Sequence, residues 1–226
     1  MISLEDLKHL EELSLKTGIS SHMLMERAGK NLYDHLNKHL DLSSKTIIIF
    51  AGQGKNAGYS FVLARQLAKD YLIFVLLFGD SQKFSGETSS AFSKIQNNQH
   101  IEILRPSQLD RHTLAKIKKT DHLLLIDALL GIEESNIATP AISEGIDLYN
   151  SMRGYKLSID IPSGIHAHTG EHGPFVCASE HTFTFFDKKP GLMGSKGVVI
   201  IPYGYPSESV EKYKQEVSQR GPLKGL

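Results

Sequence analysis

The sequence is poor in the residues that cross-link a fold through disulfides or through thiolate-bound metals. Its 226 residues include one cysteine and no tryptophan, which excludes an internal disulfide and any four-thiolate zinc or iron–sulfur site. It also lacks an excess of either charge, since 25 Lys and Arg balance 25 Asp and Glu. This balance gives no electrostatic reason to expect a nucleic-acid or anionic-membrane partner.

Targeting and membrane-spanning segments are lacking as well. The N-terminal residues are amphipathic and acidic, so we expect no signal peptide. The longest apolar stretch, residues 71–78, is far shorter than the roughly 20 residues that span a bilayer. We therefore expect a cytoplasmic protein that does not bind membranes.

What is present is a regular alternation of short apolar runs and longer amphipathic segments. Such runs are typical of strands buried on both faces of a parallel sheet that helices cover. The strands are predicted at 46–51, 71–78, 101–104, 122–126, 155–159, 181–186 and 197–201, and the helices between them at 56–70, 85–98, 107–119 and 139–151. The last two strands lack a good helix between them. The pattern predicts an α/β fold, with a three-layer αβα, doubly wound, mostly parallel and Rossmann-like sheet.

Further helices are predicted at the two ends of the chain. Ser3 caps a first helix that carries leucines every three residues, and a second helix begins near Ser20 or Ser21. We expect one domain over residues 1–226, with N-terminal helices in 1–42 and a polar C-terminal tail in 206–226.

A glycine-rich turn follows the first predicted strand. Ligands of open parallel sheets bind beyond the carboxyl ends of the strands. Gly52 and Gly54 let the backbone approach a ligand there, and the amides of the following helix favour an anion. The turn fits the dinucleotide pattern G-x-G-x-x-A through Ala57, with Asp80 as a candidate for a ribose hydroxyl. A plain strand-to-helix turn is the alternative.

Two acidic residues follow central strands. Asp127 comes after 122–126 and Asp160 after 155–159. Each alone could cap a turn, but two desolvated carboxylates at one edge of a sheet favour a bound cation or a substrate hydroxyl. Pro162 pins the turn after Asp160, and Ser163 and Gly164 leave main-chain oxygens free to face an ion.

Taken in order, five elements resemble the NAD(P)H-hydrate epimerase family. They are Met25-Glu-Arg-Ala-Gly, the loop 52–60, Asp127-Ala-Leu-Leu-Gly, Asp160-Ile-Pro-Ser-Gly with Thr169-Gly, and Thr182 with Lys188. The resemblance implies an isomerase of nicotinamide nucleotide repair that interconverts the R and S forms of hydrated NADH or NADPH. It also implies a potassium ion as cofactor, a homodimer and a separate dehydratase as partner.

The same resemblance implies which residues form the site. It makes Asn56, Asp127 and Ser163 the potassium ligands. We expect Asp160 to do the acid–base work at the hydroxyl-bearing ring carbon, with Lys188 orienting it. The implied substrate contacts are Lys55, Asn56, Ala57, Gly58, Tyr59, Gly131, Ile132, Glu133, Glu134, Ser135, Asn136 and Asp160.

Tyr59 departs from the family pattern and leaves alternatives open. The family loop Asn-Asn-Gly-Gly-Asp-Gly has a carboxylate at this place, whereas a phenol stays neutral until about pH 10. One alternative is a catalytically weakened homologue that binds a nucleotide or another small ligand, in which Tyr59→Asp would gain rate. Another is an NAD(P)-dependent oxidoreductase that uses the glycine pattern and Asp80.

Overall fold

The computed structural model describes residues 1–43, 45–84, 86–117, 122–132 and 139–219, in which seven parallel strands form one sheet. The sheet order is β3-β2-β1-β4-β5-β6-β7, and every pairing is parallel. The chain builds outward from β1 to β3 and then returns to place β4 beside β1. This reversal creates a switch point between β1 and β4, where open α/β sheets bind ligands. The strands are β1 (Thr46–Ala51), β2 (Ile73–Leu77), β3 (Ile101–Leu104), β4 (Leu123–Ala128), β5 (Tyr155–Ile159), β6 (His181–Phe185) and β7 (Val198–Ile201).

Helices cover both faces of the sheet, which confirms the predicted three layers. In β1, Ile47 and Ile49 pack in a core with α2, α3 and α4, whereas Ile48 and Phe50 pack on the opposite face with α5 and α6. This alternation is the one that a pleated strand imposes. The helices are α1 (Leu4–Leu15), α2 (Ser21–His39), α3 (Lys55–Leu67), α4 (Gly86–Ser93), α5 (Arg111–Ile117), α6 (Pro140–Ser151) and α7 (Ser207–Gln219).

Most element positions match the prediction, and the differences lie at the ends of elements. β2 is shorter than predicted because Leu72, 52% exposed, precedes the paired segment. α4 ends at Ser93 because the following residues form turns, such as the bond from the Ile95 amide to the Phe92 carbonyl. As expected, β6 and β7 have no α-helix between them in the fully described stretch 139–219, only the 3-10 turn Pro190–Leu192.

Helices α1 and α7 pack together. Ser3 caps α1 as predicted, because its hydroxyl accepts a hydrogen bond from the Asp6 amide at 3.0 Å. His9 of α1 contacts Glu216 of α7, with 2.5 Å between Nε2 and the carboxylate. Within the described residues, no helix is both long enough and apolar enough to cross a bilayer.

Candidate active site

A cavity opens beyond the carboxyl ends of the central strands. The space within it, including its open mouth, is about 740 Å³. It lies at the edge of the sheet that the topology predicts. Its walls come from the β1–α3 turn, the exits of β4, β5, β6 and β7, and helix α1: Gly54, Lys55, Asn56, Tyr59, Gly131, Ile132, Asp160, Phe185, Lys189, Tyr203, Tyr205, Leu4, Leu7, Lys8 and Glu11.

The turn between β1 and α3 forms one end of this cavity. A Cβ on Gly52 would stand 1.7 Å from the Leu129 carbonyl oxygen, so only glycine lets the two strand exits pass so closely. Gly54 is the N-cap of α3 and provides no side-chain hydrogen bond. The amides of the first turn of α3 therefore remain available for an anion.

Asn56, Asp127 and Ser163 are brought together around the peptide groups of Leu130. The Asn56 amide donates to the carbonyls of Leu130 at 2.8 Å and Ile159 at 2.7 Å. The Leu130 amide donates to the Ser163 hydroxyl at 2.9 Å, and that hydroxyl donates to Asp127 at 2.5 Å. The three residues predicted to bind potassium thus form one connected cluster.

Asp127 is a fully buried carboxylate without a cationic partner among the described residues. It accepts two hydrogen bonds from Ser163, one from Ser158 and one from the Leu129 amide, and the Cys177 thiol also hydrogen-bonds to it. Burial still raises the pKa of Asp127, because it penalises the charged form more than these bonds favour it. An uncompensated carboxylate beside amide, hydroxyl and main-chain oxygens is a hard-oxygen environment that fits an alkali cation.

Asp160 and Lys189 form a buried ion pair in the cavity wall. Asp160 has φ = 66°, a left-handed conformation that is uncommon for a residue with a side chain. Its Oδ1 accepts from the Thr184 hydroxyl and the Phe185 amide, each at 3.1 Å, and from the Lys189 ammonium. Lys189 also donates to Thr184 and to the Phe185 carbonyl, each at 2.9 Å.

The lysine that holds Asp160 is therefore Lys189, next in sequence to the predicted Lys188. The amide of Lys188 bonds its neighbour Asp187, and its carbonyl accepts from the Ile2 amide. Lys188 is not among the cavity-lining residues. The residue after it turns back into the site, so the prediction was displaced by one position.

Four aromatic rings form one wall of the cavity. Tyr59 makes an edge contact with Phe185, with 4.8 Å between ring centroids, and its hydroxyl lies 2.9 Å from that of Tyr203. Tyr203 packs on Tyr205 at 4.5 Å. Burial raises the pKa of Tyr59 well above its usual value near 10, so its phenol stays neutral.

Helix α1 lines one side of the cavity and contributes Glu11 to an ion pair there. The Lys55 ammonium lies 3.1 Å from the Glu11 carboxylate, and their side chains are 41% and 23% exposed. Lys55 starts α3, so this ion pair stands at the N-terminal end of that helix.

The remaining predicted residues divide into three groups. Ala57 and Gly58 are buried behind the cavity, and a Cβ on Gly58 would stand 2.4 Å from the Met25 side chain. Asp80 accepts from the Gln82 amide at 3.0 Å and is outside the cavity lining, so it caps the turn Ser81–Lys83. Glu133, Glu134, Ser135 and Asn136 lie outside the described residues.

Sequence reasoning missed several lining residues. Tyr203 and Tyr205 directly follow β7, so extending the search to every strand end would have found them. Leu4, Leu7 and Glu11 lie on a helix whose pattern indicates only packing, and their spacing offers no sign of a ligand.

Comparisons with known proteins agree on one family. Residues 21–191 match the family model described as "YjeF-related protein N-terminus". An NAD(P)H-hydrate epimerase of Lentilactobacillus buchneri is 33% identical over 85% of this chain and 86% of its own length. One from Limosilactobacillus reuteri is 27% identical over 87% of this chain and 89% of its own.

Longer relatives and a solved structure extend the comparison. The bifunctional NAD(P)H-hydrate repair enzyme Nnr of Hyperthermus butylicus is 30% identical over 85% of this chain, which spans only 36% of that longer protein. A crystal structure of yeast ynu0 (YNL200c) superposes with a TM-score of 0.67 at 17% identity, and the match covers 88% of this chain and 86% of the yeast chain. The yeast structure supports the Rossmann-like fold.

Proposed function

Because this chain belongs to the family of YjeF-related protein N-termini, we propose that it is an NAD(P)H-hydrate epimerase, an isomerase that interconverts the two epimers of hydrated NADH or NADPH. Relatives named for this activity are 26–33% identical over most of the chain. The observation that carries the proposal is the buried Asp160–Lys189 pair, which lies in the same cavity as the anion-binding turn before α3.

The cavity offers the two ends of a nucleotide different surroundings. The first-turn amides of α3 and the Lys55 ammonium suit the phosphates. The ring end then lies against Asp160 and the aromatic wall, where the apolar sides of Phe185 and the tyrosines exclude water. Among the described residues, Asp160 is the only carboxylate of the cavity wall that comes from a strand exit. In this orientation, the hydroxyl-bearing ring carbon lies beside it.

Asp160 is the acid–base group in this arrangement. All three hydrogen bonds that the described residues donate to it end on Oδ1, so Oδ2 is the oxygen that meets the substrate. Oδ2 accepts the proton of the hydroxyl on the ring carbon as the bond between that carbon and the ring nitrogen breaks, which leaves an aldehyde and a nitrogen that takes up the proton. The nitrogen then attacks the opposite face of the carbonyl, its proton returns through Oδ2 to the oxygen, and the ring closes in the other configuration. Lys189 fixes the orientation of the carboxylate through Oδ1 and is a positioning residue.

We also propose a potassium site at Asn56, Asp127 and Ser163, adjacent to the cavity wall. The cluster around Leu130 and the uncompensated charge of Asp127 support it. When bound, the ion would supply a fixed positive charge that offsets Asp127 and rigidifies the exits of β4 and β5.

The remaining expectations concern partners. The bifunctional relatives named repair enzymes support the expected functional link to a dehydratase. The homodimer, the cytoplasmic location and the choice between NADH and NADPH hydrates stay predictions.

The test is the rate at which separated NADH-hydrate epimers re-equilibrate. Chiral chromatography should show faster epimerisation with the protein than in buffer, and Asp160→Asn should remove most of the acceleration, since Asn tolerates the left-handed backbone but accepts no proton. Equal rates with and without the wild-type protein would overturn the proposal. Nucleotide-dependent thermal stabilisation without acceleration would favour the alternative of a binding homologue, for which Tyr59 is the motivating residue.

A further inference from the structure

Two phenol groups meet inside the cavity. The hydroxyl oxygens of Tyr59 and Tyr203 lie 2.9 Å apart, and the two residues are only 5% and 7% exposed. Both line the cavity. The rings are held by edge contacts with each other and with Phe185, so the two hydroxyls occupy fixed positions.

The two phenols have two O–H donors, and the hydrogen bond between them uses only one. Burial raises the pKa of both phenols above the usual value near 10, so each keeps its proton at neutral pH. One hydroxyl donates to the other, which uses one of the two protons. Among the described residues, no further acceptor bonds either hydroxyl. Because both residues line the cavity, the second O–H is available to a ligand there.

The remaining O–H donor and the Asp160 carboxylate suit different groups of the ligand. A carboxylate oxygen only accepts, so Asp160 suits a hydroxyl group that donates. The phenol pair presents a neutral O–H, which suits a carbonyl acceptor. Leaving such a buried donor without a partner is unfavourable, so a ligand that supplies the acceptor gains affinity.

We propose that Tyr59 and Tyr203 together bind the carboxamide oxygen on the substrate's ring and so are specificity-determining residues of this site. The proposal rests on the proposed function for the identity of the ring. Tyr203 lies outside the segment 21–191 that the family model matches, so part of the recognition comes from the chain that follows β7.

The hydroxyl pair predicts a non-additive response to mutation. In Tyr59→Phe the hydroxyl of Tyr203 remains, and in Tyr203→Phe that of Tyr59 remains, so either single variant keeps one O–H for the ligand. The double variant keeps both rings but loses the donor. We expect KM for NADH hydrate to change less than about three-fold in the single variants and to rise about ten-fold in the double variant, with kcat nearly unchanged.

A ligand that lacks the nicotinamide ring distinguishes the loss of a hydrogen bond to that ring from a general disturbance of the cavity. The double variant should bind ADP-ribose as tightly as the wild type does, but NADH, which carries the same carboxamide, about ten-fold more weakly. Tyr155→Phe is the matched control, because its hydroxyl bonds His181 at 2.7 Å outside the cavity. An unchanged NADH affinity in the double variant, an equal loss for ADP-ribose, or wild-type binding of NADH no tighter than that of ADP-ribose would each overturn the inference.

The same measurements distinguish this inference from the proposed function. Suppose that the wild-type protein does not epimerise NADH hydrate, while the double variant loses affinity for NADH but not for ADP-ribose. The proposed epimerase activity is then refuted, and the proposed binding of the carboxamide by the two tyrosines stands. An active wild type whose double variant keeps its KM refutes only the recognition.

Discussion

Lys189 and Asp160 form an ion pair that is almost sealed from water, with side chains 1% and 6% exposed. A buried charge that loses its partner is strongly destabilising, whereas the intact pair need contribute little net stability. Because Lys189 also bonds Thr184 and the Phe185 carbonyl, it fixes the Asp160 carboxylate relative to β6.

Replacing this lysine should therefore harm both stability and catalysis. We expect Lys189→Met to lower the free energy of unfolding by about 3–5 kcal/mol and to reduce kcat at least a hundred-fold, measured well below the variant's melting temperature. Lys188→Met is the matched comparison, and the structure predicts a near-normal protein. A larger loss of stability and kcat in Lys188→Met than in Lys189→Met would instead support the prediction from the sequence, in which Lys188 orients Asp160.

The ion pair between Glu11 and Lys55 should oppose the binding of phosphate. A phosphate group that approaches the start of α3 competes with Glu11 for the Lys55 ammonium. We expect Glu11→Gln to bind ADP-ribose about two- to five-fold more tightly, the size of an exposed ion pair, and the gain to shrink at high salt. The measurement is isothermal titration calorimetry at two salt concentrations.

Glu12→Gln is the control for this experiment, since Glu12 is an exposed neighbour on α1. It changes the net charge equally but leaves Lys55 paired. Equal gains in both variants would mean that long-range charge, rather than the ion pair, affects phosphate binding.

The potassium proposal makes a prediction for thermal stability. At ten times its dissociation constant, potassium should raise the melting temperature by about 3–6 °C relative to choline at the same chloride concentration. Ser163→Ala should weaken this response, because the Ser163 hydroxyl contacts Asp127 and the Leu130 amide. Ser218→Ala, on the exposed face of α7, should respond like the wild type. Identical melting curves in potassium and choline would contradict the site.

Tyr59→Asp should not restore a more typical site. The substitution removes the ring that packs on Phe185 and places a carboxylate in a buried position near Asp160. We expect a loss of about 3–5 kcal/mol in the free energy of unfolding, comparable to truncating a buried aromatic residue, and no gain in rate. Tyr59→Phe should stay close to the wild type in chemical denaturation. A faster and stable Tyr59→Asp protein would support the weakened-homologue alternative.

The sequence was sufficient to predict the sheet and the residues at its switch point. β1, β3 and β5 were predicted to the residue, because each is a short segment rich in apolar residues between polar, turn-forming residues. Asp127 and Asp160 could be found for the same reason, since a carboxylate at the end of such a run stands out against its apolar neighbours.

The parts that escaped prediction depend on tertiary contacts. Neighbouring Lys188 and Lys189 are indistinguishable in the sequence, and only the turn after β6 decides which one enters the core. The pairing of Tyr59 with Tyr203 joins residues 144 positions apart. Helix α1 carries an ordinary amphipathic pattern that does not reveal that its apolar side faces a cavity.

The cavity takes walls from both ends of the chain, and this has a consequence for protein synthesis. Leu4 and Leu7 leave the ribosome well before Tyr203 and α7. At about 5–20 residues per second, α1 waits roughly 10 to 40 s for the partners that complete its surroundings. A nascent chain that ends before β7 would hold the aspartates and the glycine turn yet lack the tyrosine wall of the cavity, so ligand binding reports that synthesis has passed β7.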